Sequence, residues 1–134
     1  MKKILIVDDH PDIRRLIRIT LGKNYEIFEA EDGLSALYVT RKQHPDLVIL
    51  DVMMPGEVDG FNVLKQIKKD PALAAVKVVM VTARGQAKDY DLGMNAGADA
   101  YFVKPFSPVK LATMVRTLVE ADPVALTSGL PRQA

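Results

Sequence analysis

The stretch Val78-Val79-Met80-Val81 places four apolar residues in a row, with no alternation between apolar and polar positions. A strand built from it is apolar on both faces, which is typical of a parallel sheet covered by helices on both sides. Four further runs rich in apolar residues occur at residues 3–7, 25–30, 47–50 and 100–103. Each run has the length of a strand, so the sequence predicts five strands.

Amphipathic stretches separate these runs. Ile13, Ile17 and Leu21 share one side of a helix, whereas Arg14 and Arg18 lie largely elsewhere. We expect four more helices over about residues 33–42, 60–69, 87–96 and 108–120. Residues typical of helix ends support these positions, namely Pro11, Asp32, Gly97, Ser107 and Pro108. Five strands and five helices in alternation predict an α/β fold, in which the carboxyl ends of parallel strands meet at one edge.

Composition narrows the class of protein. With 134 residues, 49% of them apolar and 26% charged, the chain is expected to fold as one globular domain. A net charge of +1 predicts no direct binding to nucleic acid, and no uncharged stretch approaches the ~20 residues that membrane insertion requires. The absence of cysteine excludes disulfides and thiolate chemistry and favours the cytoplasm. We assign residues 1–121 to the domain and residues 122–134 to a C-terminal tail or the start of a linker.

Polar side chains follow four of the five predicted strands. Asp8 and Asp9 end the first strand, Asp51 the third, Thr82 the fourth and Lys104 the fifth. Each residue alone has an ordinary explanation as a helix cap, a turn residue, a strand-end hydroxyl or a surface charge. Their common place at the carboxyl edge, where open α/β sheets bind ligands, instead predicts a functional site.

Three neighbouring carboxylates repel one another unless a cation neutralises them. Because the available ligands are oxygens, the predicted cation is Mg²⁺, with Mn²⁺ as a substitute. His10 and His44 are too few and too far apart to indicate a zinc or copper centre, and we interpret both as helix-end or surface residues. Asp51 is the candidate nucleophile for phosphoryl transfer, with Lys104 as the partner of the phosphoryl oxygens. The sequence has no glycine-rich phosphate loop, so we expect a small or protein-borne donor.

The chain resembles the receiver domain of two-component response regulators, of the chemotaxis-regulator type, over about residues 3–120. The matching segments are residues 4–9, 46–55, 59–60, 81–83, 96–99 and 104–106. The resemblance implies a flavodoxin-like, doubly wound, five-stranded parallel sheet in the order 2-1-3-4-5 with five helices. It also implies a regulatory domain and not an enzyme, although such a domain assists its own phosphorylation and dephosphorylation.

By this resemblance, Asp51 is the phosphoacceptor for the phosphohistidine of a sensor histidine kinase, for a phosphotransfer protein or for acetyl phosphate. Asp9 binds Mg²⁺ directly, Asp8 mostly through water, and the backbone carbonyl of Met53 supplies a further ligand. Lys104 pairs with the phosphoryl group, and the Lys104-Pro105 peptide bond is expected to be cis.

The resemblance also assigns Thr82 and Tyr101 as a switch pair. Their rearrangement would alter a partner surface formed by the fourth helix, fifth strand and fifth helix, which would serve a downstream target protein, an output domain outside this sequence or a homodimer. Met53 and Arg84 occupy positions that tune hydrolysis of the aspartyl phosphate.

One departure from the family pattern concerns the loop before Asp59-Gly60. Gly56, Glu57 and Val58 precede it where two residues are common, so the shape of the loop and kinase docking are expected to differ.

Two alternatives remain at this level. A phosphatase with an aspartyl-phosphate intermediate is disfavoured because Asp8 and Asp9 are adjacent, whereas the haloacid-dehalogenase pattern requires Asp-x-Asp. A phosphate-independent interaction module is favoured only if Asp51 is inert or buried.

Overall fold

The computed structural model describes residues 1–120 of the chain, so the predicted tail at residues 122–134 lies outside the described residues. The strands are β1 (Lys2–Val7), β2 (Tyr25–Ala30), β3 (Leu47–Leu50), β4 (Lys77–Thr82) and β5 (Ala100–Val103). The helices are α1 (Pro11–Leu21), α2 (Gly33–Gln43), α3 (Gly60–Lys69), α4 (Ala87–Asn95) and α5 (Pro108–Glu120). The predicted alternation of strands and helices is confirmed.

The five strands form one parallel sheet in the order β2-β1-β3-β4-β5, as the resemblance implies. The chain leaves β1 toward β2 on one side and then returns across β1 to reach β3 on the other. The strand order therefore reverses between β1 and β3, where Val7 pairs with Leu50. In a sheet of this type the crevice outside the ends of those two strands is the expected ligand site.

Apolar strand residues point alternately to two cores, one on each face of the sheet. Leu5, Val48 and Met80 pack in the core that α2 and α3 cover, whereas Ile4 and Ile49 pack in the core that α1 and α5 cover. This two-sided burial explains why the central strands are wholly apolar over Ile4–Val7, Leu47–Leu50 and Val78–Val81. Fully burying each such aliphatic side chain contributes roughly 1.5–3 kcal/mol, so the strand ends are held on a rigid platform.

Side-chain caps fix where two helices begin. Asp32 accepts a hydrogen bond from the Ser35 backbone at 2.8 Å and caps α2 as predicted, and hydrogen bonds from Ser35 lower the pKa of the Asp32 carboxyl. Asp59 caps α3 by accepting from the Asn62 backbone at 2.9 Å. The first helix follows His10, which makes no side-chain cap.

None of the helices within residues 1–120 combines the length and the apolar character needed to cross a membrane.

Candidate functional site

The carboxylates predicted from the strand ends lie together in the structure. Asp8, Asp9, His10 and Asp51 each offer one ligand atom, and these atoms all lie within 4.8 Å of one another. Asp8 and Asp51 are buried, with 2% and 3% of their surface exposed. The cluster sits at the reversal point between β1 and β3.

Backbone hydrogen bonds place the two buried carboxylates. The Asp8 amide donates to the Ala30 carbonyl at 3.1 Å, and the Asp51 amide donates to the Val7 carbonyl at 3.1 Å. Each bond continues the sheet one residue past its strand. Both carboxylates therefore leave the sheet edge from fixed backbone positions.

Lys104 connects the two carboxylates from the far side of the site. Its Nζ donates to Asp8 Oδ2 at 2.7 Å and to Asp51 Oδ2 at 3.0 Å, and its backbone amide donates to the Thr82 carbonyl at 2.9 Å. Burial alone would lower the pKa of Lys104, but the hydrogen bonds and negative charges of both aspartates outweigh burial and raise it. Lys104 therefore remains an ammonium at neutral pH. The peptide bond to Pro105 is cis, as expected.

The loop after β3 closes over the phosphoacceptor candidate. The Met53 amide donates to Asp51 Oδ1 at 3.0 Å, while the Met53 side chain is exposed. Gly60 begins α3 against the same backbone, because a Cβ at this position would overlap the Asp51 carbonyl oxygen and lie 2.6 Å from the Val52 Cα. A residue without a side chain is thus required for the loop to approach Asp51 this closely.

The predicted switch pair lies beneath the loop that follows β4. Thr82 is fully buried, and its Oγ1 accepts a hydrogen bond from the Arg84 amide at 3.3 Å. Tyr101 is also buried, and its hydroxyl donates to the Arg84 carbonyl at 2.6 Å. Burial and the nearby charge of Asp89 raise the pKa of the Tyr101 phenol. The Tyr101 ring packs edge-to-face on Tyr90, with the ring centroids 5.7 Å apart.

Residues 4–116 match the family described as response regulator receiver domain. The chain belongs to this family. Over 133 residues the receiver chain is 42% identical to the "Probable transcriptional regulator ycf27" of Pyropia yezoensis, an alignment covering 97% of the chain and 53% of that relative. The chain spans about half the length of the curated relatives it matches.

Solved structures agree with this assignment. A crystal structure described as a putative response regulator from Chloroflexus aurantiacus superposes with a TM-score of 0.82 at 34% identity, covering 88% of this chain and 97% of that one. The Mn²⁺-bound form of response regulator Rcp1 superposes with a TM-score of 0.79 at 25% identity, covering 98% of this chain and 99% of that one. The flavodoxin-like receiver fold is therefore shown, and the chain is a regulatory domain of a two-component system.

The donor atoms of the receiver site fit a divalent cation. Asp9 Oδ1 is buried and has no hydrogen-bond partner among residues 1–120, which is costly unless a cation or water satisfies it. Carboxylate oxygens from three aspartates are the hard ligands that Mg²⁺ and Mn²⁺ prefer. We therefore find that the acidic cluster suits the Mg²⁺ site typical of receiver domains.

Two features of this receiver domain did not emerge from sequence reasoning. The guanidinium of Arg84, expected to tune hydrolysis, pairs with the buried carboxylate of Asp89 at 2.8 Å. His10 is a helix-end residue as interpreted, but its ring also lies among the site carboxylates. The sequence signal for His10 was its position directly after Asp8-Asp9. His44, by contrast, ends α2 at the opposite edge of the sheet.

Proposed function

We propose that this receiver domain is a phosphorylation-dependent switch in which Asp51 accepts the phosphoryl group. The donor would be the phosphohistidine of a sensor histidine kinase or a phosphotransfer protein, or a small donor such as acetyl phosphate. The observation that carries this proposal is the Lys104 ammonium, which bridges the buried carboxylates of Asp8 and Asp51 at 2.7 and 3.0 Å. A cation held next to a carboxylate at a strand end is the arrangement that phosphoryl transfer requires.

The transfer forms an O–P bond to Asp51 while the P–N or P–O bond to the donor breaks, and the donor's leaving group takes up the electron pair. Lys104 is positioned to follow the developing charge from the carboxylate to a phosphoryl oxygen. The carboxylates of Asp8, Asp9 and Asp51 and the Met53 carbonyl would hold Mg²⁺, which when bound neutralises charge on the phosphoryl oxygens. The Thr82 hydroxyl would donate to a further oxygen.

Phosphorylation of Asp51 would rearrange the side chains of Thr82 and Tyr101, and this rearrangement would alter the partner surface. The Tyr101 ring is buried in the structure, and movement of the Thr82 hydroxyl toward the phosphoryl group would stabilise this inward position. A shift of a population from 1:99 to 99:1 takes about 5.5 kcal/mol. Two or three charge-assisted hydrogen bonds of ~1.5–3 kcal/mol each supply a free energy of this size.

The surface that would respond consists of α4, β5 and α5. It exposes large apolar side chains, at 37% for Tyr90, 45% for Leu92, 43% for Val103 and 76% for Val109. An exposed apolar group of this kind suits a downstream target protein, an output domain or a second copy of the chain. Met53 and Arg84 would tune how long the aspartyl phosphate lasts.

The partners follow from the family and from the length of the relatives. Because the chain spans about half the length of relatives named as transcriptional regulators, one of which is described as DNA-binding, we propose that a DNA-binding output domain follows the receiver in a longer regulator. In this arrangement residues 1–121 form the receiver, residues 122–134 begin the linker, and the receiver itself contacts no nucleic acid. The kinase and the target would meet the chain in the cytoplasm.

Incubation with acetyl phosphate and Mg²⁺ tests the proposal. We expect one hydroxylamine-labile phosphate per chain, measured by intact mass, and its loss in Asp51→Asn. Asp59→Asn is the matched control, because Asp59 lies in the same loop but caps α3, a role that asparagine fills equally well. Full labelling of Asp51→Asn would refute the assignment of the phosphoacceptor.

A second candidate function rests on the burial of Asp51. Its side chain is only 4% exposed beneath Lys104, which favours a phosphate-independent interaction module if the ammonium never moves aside. The same experiment separates the two functions. An unlabelled wild-type chain that still binds Mg²⁺ would favour the interaction module.

A further inference from the structure

His10 brings a nitrogen ligand to a site that otherwise offers carboxylate oxygens. Its Nδ1 lies 3.1 Å from Asp8 Oδ1 and 3.2 Å from Asp9 Oδ1. The His10 backbone amide donates to the same Asp8 oxygen at 2.9 Å, which fixes the residue beside the cluster. The ring enters the site although 65% of the side chain is exposed to solvent.

These separations match those of neighbouring ligands on one ion. Two ligands at ~2.1 Å from an octahedral metal and at right angles are roughly 3.0 Å apart, and opposite ligands are roughly 4.2 Å apart. The 3.1 and 3.2 Å distances from Nδ1 fit the first value. All four ligand atoms lie within 4.8 Å of one another, an upper limit somewhat above the second value, so the side chains would close in slightly around a bound ion.

The contact between Nδ1 and Asp9 is short without being a hydrogen bond. Asp9 Oδ1 is buried and unpartnered within the described chain, even though Nδ1 lies 3.2 Å away. Nδ1 hydrogen-bonds instead to Asp8 Oδ1 at 3.1 Å, which leaves the buried Asp9 oxygen beside the ring without a partner. A cation bound here would accept a lone pair from Asp9 Oδ1 and would replace the Nδ1 proton, so that Nδ1 becomes a ligand and the ring proton lies on Nε2.

We propose that His10 is a direct metal ligand and that it gives this receiver site a preference for first-row transition ions over Mg²⁺. This preference depends on the metal site described under the proposed function and specifies which ions that site selects. Imidazole nitrogen binds borderline ions such as Zn²⁺ well, whereas Mg²⁺ retains oxygen ligands. The carboxylates alone would bind both classes of ion through oxygen.

Calorimetric titration of the unphosphorylated chain with Zn²⁺ and with Mg²⁺ tests this selectivity. We expect His10→Ala to weaken Zn²⁺ binding by at least about tenfold, since even groups outside the ligand shell are worth ~10–100-fold. Mg²⁺ binding should change less than about twofold. The matched control is His44→Asn, which removes the other histidine and keeps a residue tolerant of the positive φ of 47° at that position.

A second variant and a spectroscopic measurement exclude an indirect effect. His10→Asn keeps a favourable residue at the start of α1 but no imidazole, so it should lose Zn²⁺ affinity as His10→Ala does. In the wild type, Zn²⁺ should shift the ¹⁵N resonance of His10 Nδ1 and leave His44 unchanged.

Unchanged Zn²⁺ affinity in His10→Ala, or equal losses for both ions, would overturn the inference while leaving the phosphorylation site intact. Restoration of Zn²⁺ binding by asparagine would also overturn it. A wild-type chain that binds neither ion would instead refute the metal site itself, and with it this part of the proposed function.

Discussion

Replacement of Lys104 by methionine should destabilise the receiver domain through the carboxylates that it leaves behind. The lysine side chain is 17% exposed, and those of Asp8 and Asp51 are 2% and 4% exposed. Methionine keeps most of the aliphatic stem and removes only the ammonium. The cluster then holds three carboxylates without the cation that now bridges two of them.

The expected loss can be estimated from the distances. With an effective dielectric constant of about 20, ion pairs at 2.7 and 3.0 Å have Coulomb energies of roughly 6 and 5.5 kcal/mol. Desolvation of the three ions cancels much of this, and removal of one partner of a buried pair costs about 3–5 kcal/mol. We expect a loss of about 3 kcal/mol, or roughly 12 °C in Tm for a domain of about 120 residues.

Urea unfolding followed by circular dichroism in EDTA at pH 7 would measure this loss. In an Asp51→Asn background, Lys104→Met should cost at least about 1 kcal/mol less, because one uncompensated carboxylate is already absent. Lys110→Met on the exposed face of α5 is the control and should change stability by less than about 0.5 kcal/mol. Equal costs of Lys104→Met in both backgrounds would refute the electrostatic coupling between Lys104 and Asp51.

Three further predictions follow from the site and its loops. Because the pKa of Lys104 is raised, its contribution to the free energy of unfolding is fully present below the unfolded-state pKa of ~10.4 and is lost as pH rises through the higher folded-state value. Urea unfolding should therefore show that the stability difference between wild type and Lys104→Met disappears only in strong alkali. A difference that disappears near pH 8 would contradict this prediction. Gly60→Ala should lower the free energy of unfolding by at least ~1–3 kcal/mol and slow labelling by acetyl phosphate, because the new Cβ would overlap backbone atoms. Gly56→Ala is the control: its φ is +94° but the surrounding space is open, so it should cost only about 1 kcal/mol and leave labelling unchanged. Tyr101→Phe should lower the free energy of unfolding by about 0.5–1.5 kcal/mol through loss of the hydrogen bond to Arg84; a loss above ~3 kcal/mol would show that ring packing had changed as well.

The fold was predictable because local pattern and global architecture agree. The apolar run at Val78–Val81 needs cover on both faces, and the alternating amphipathic stretches supply the helices that provide it. The same argument places Asp8, Asp51 and Lys104 at one edge. Periodicity alone does not distinguish β2-β1-β3-β4-β5 from other parallel orders, so the strand order came from the family resemblance. Strand order is determined by contacts between residues that are distant in sequence, so no single stretch of sequence predicts it.

The sequence indicated most of the residues that lie at the site. It did not indicate which of their side-chain atoms come into contact. Along a strand, neighbouring side chains point to opposite faces, and this rule would separate Asp9 from Asp8 and His10. The chain leaves the sheet after Val7, and His10 has φ −94° and ψ 113° before α1 begins, so the alternation no longer applies. All three consecutive side chains consequently reach one cation-sized space. Because this convergence depends on the turn between strand and helix, the chemical character of the proposed metal site would be set by turn geometry as much as by the aspartates themselves.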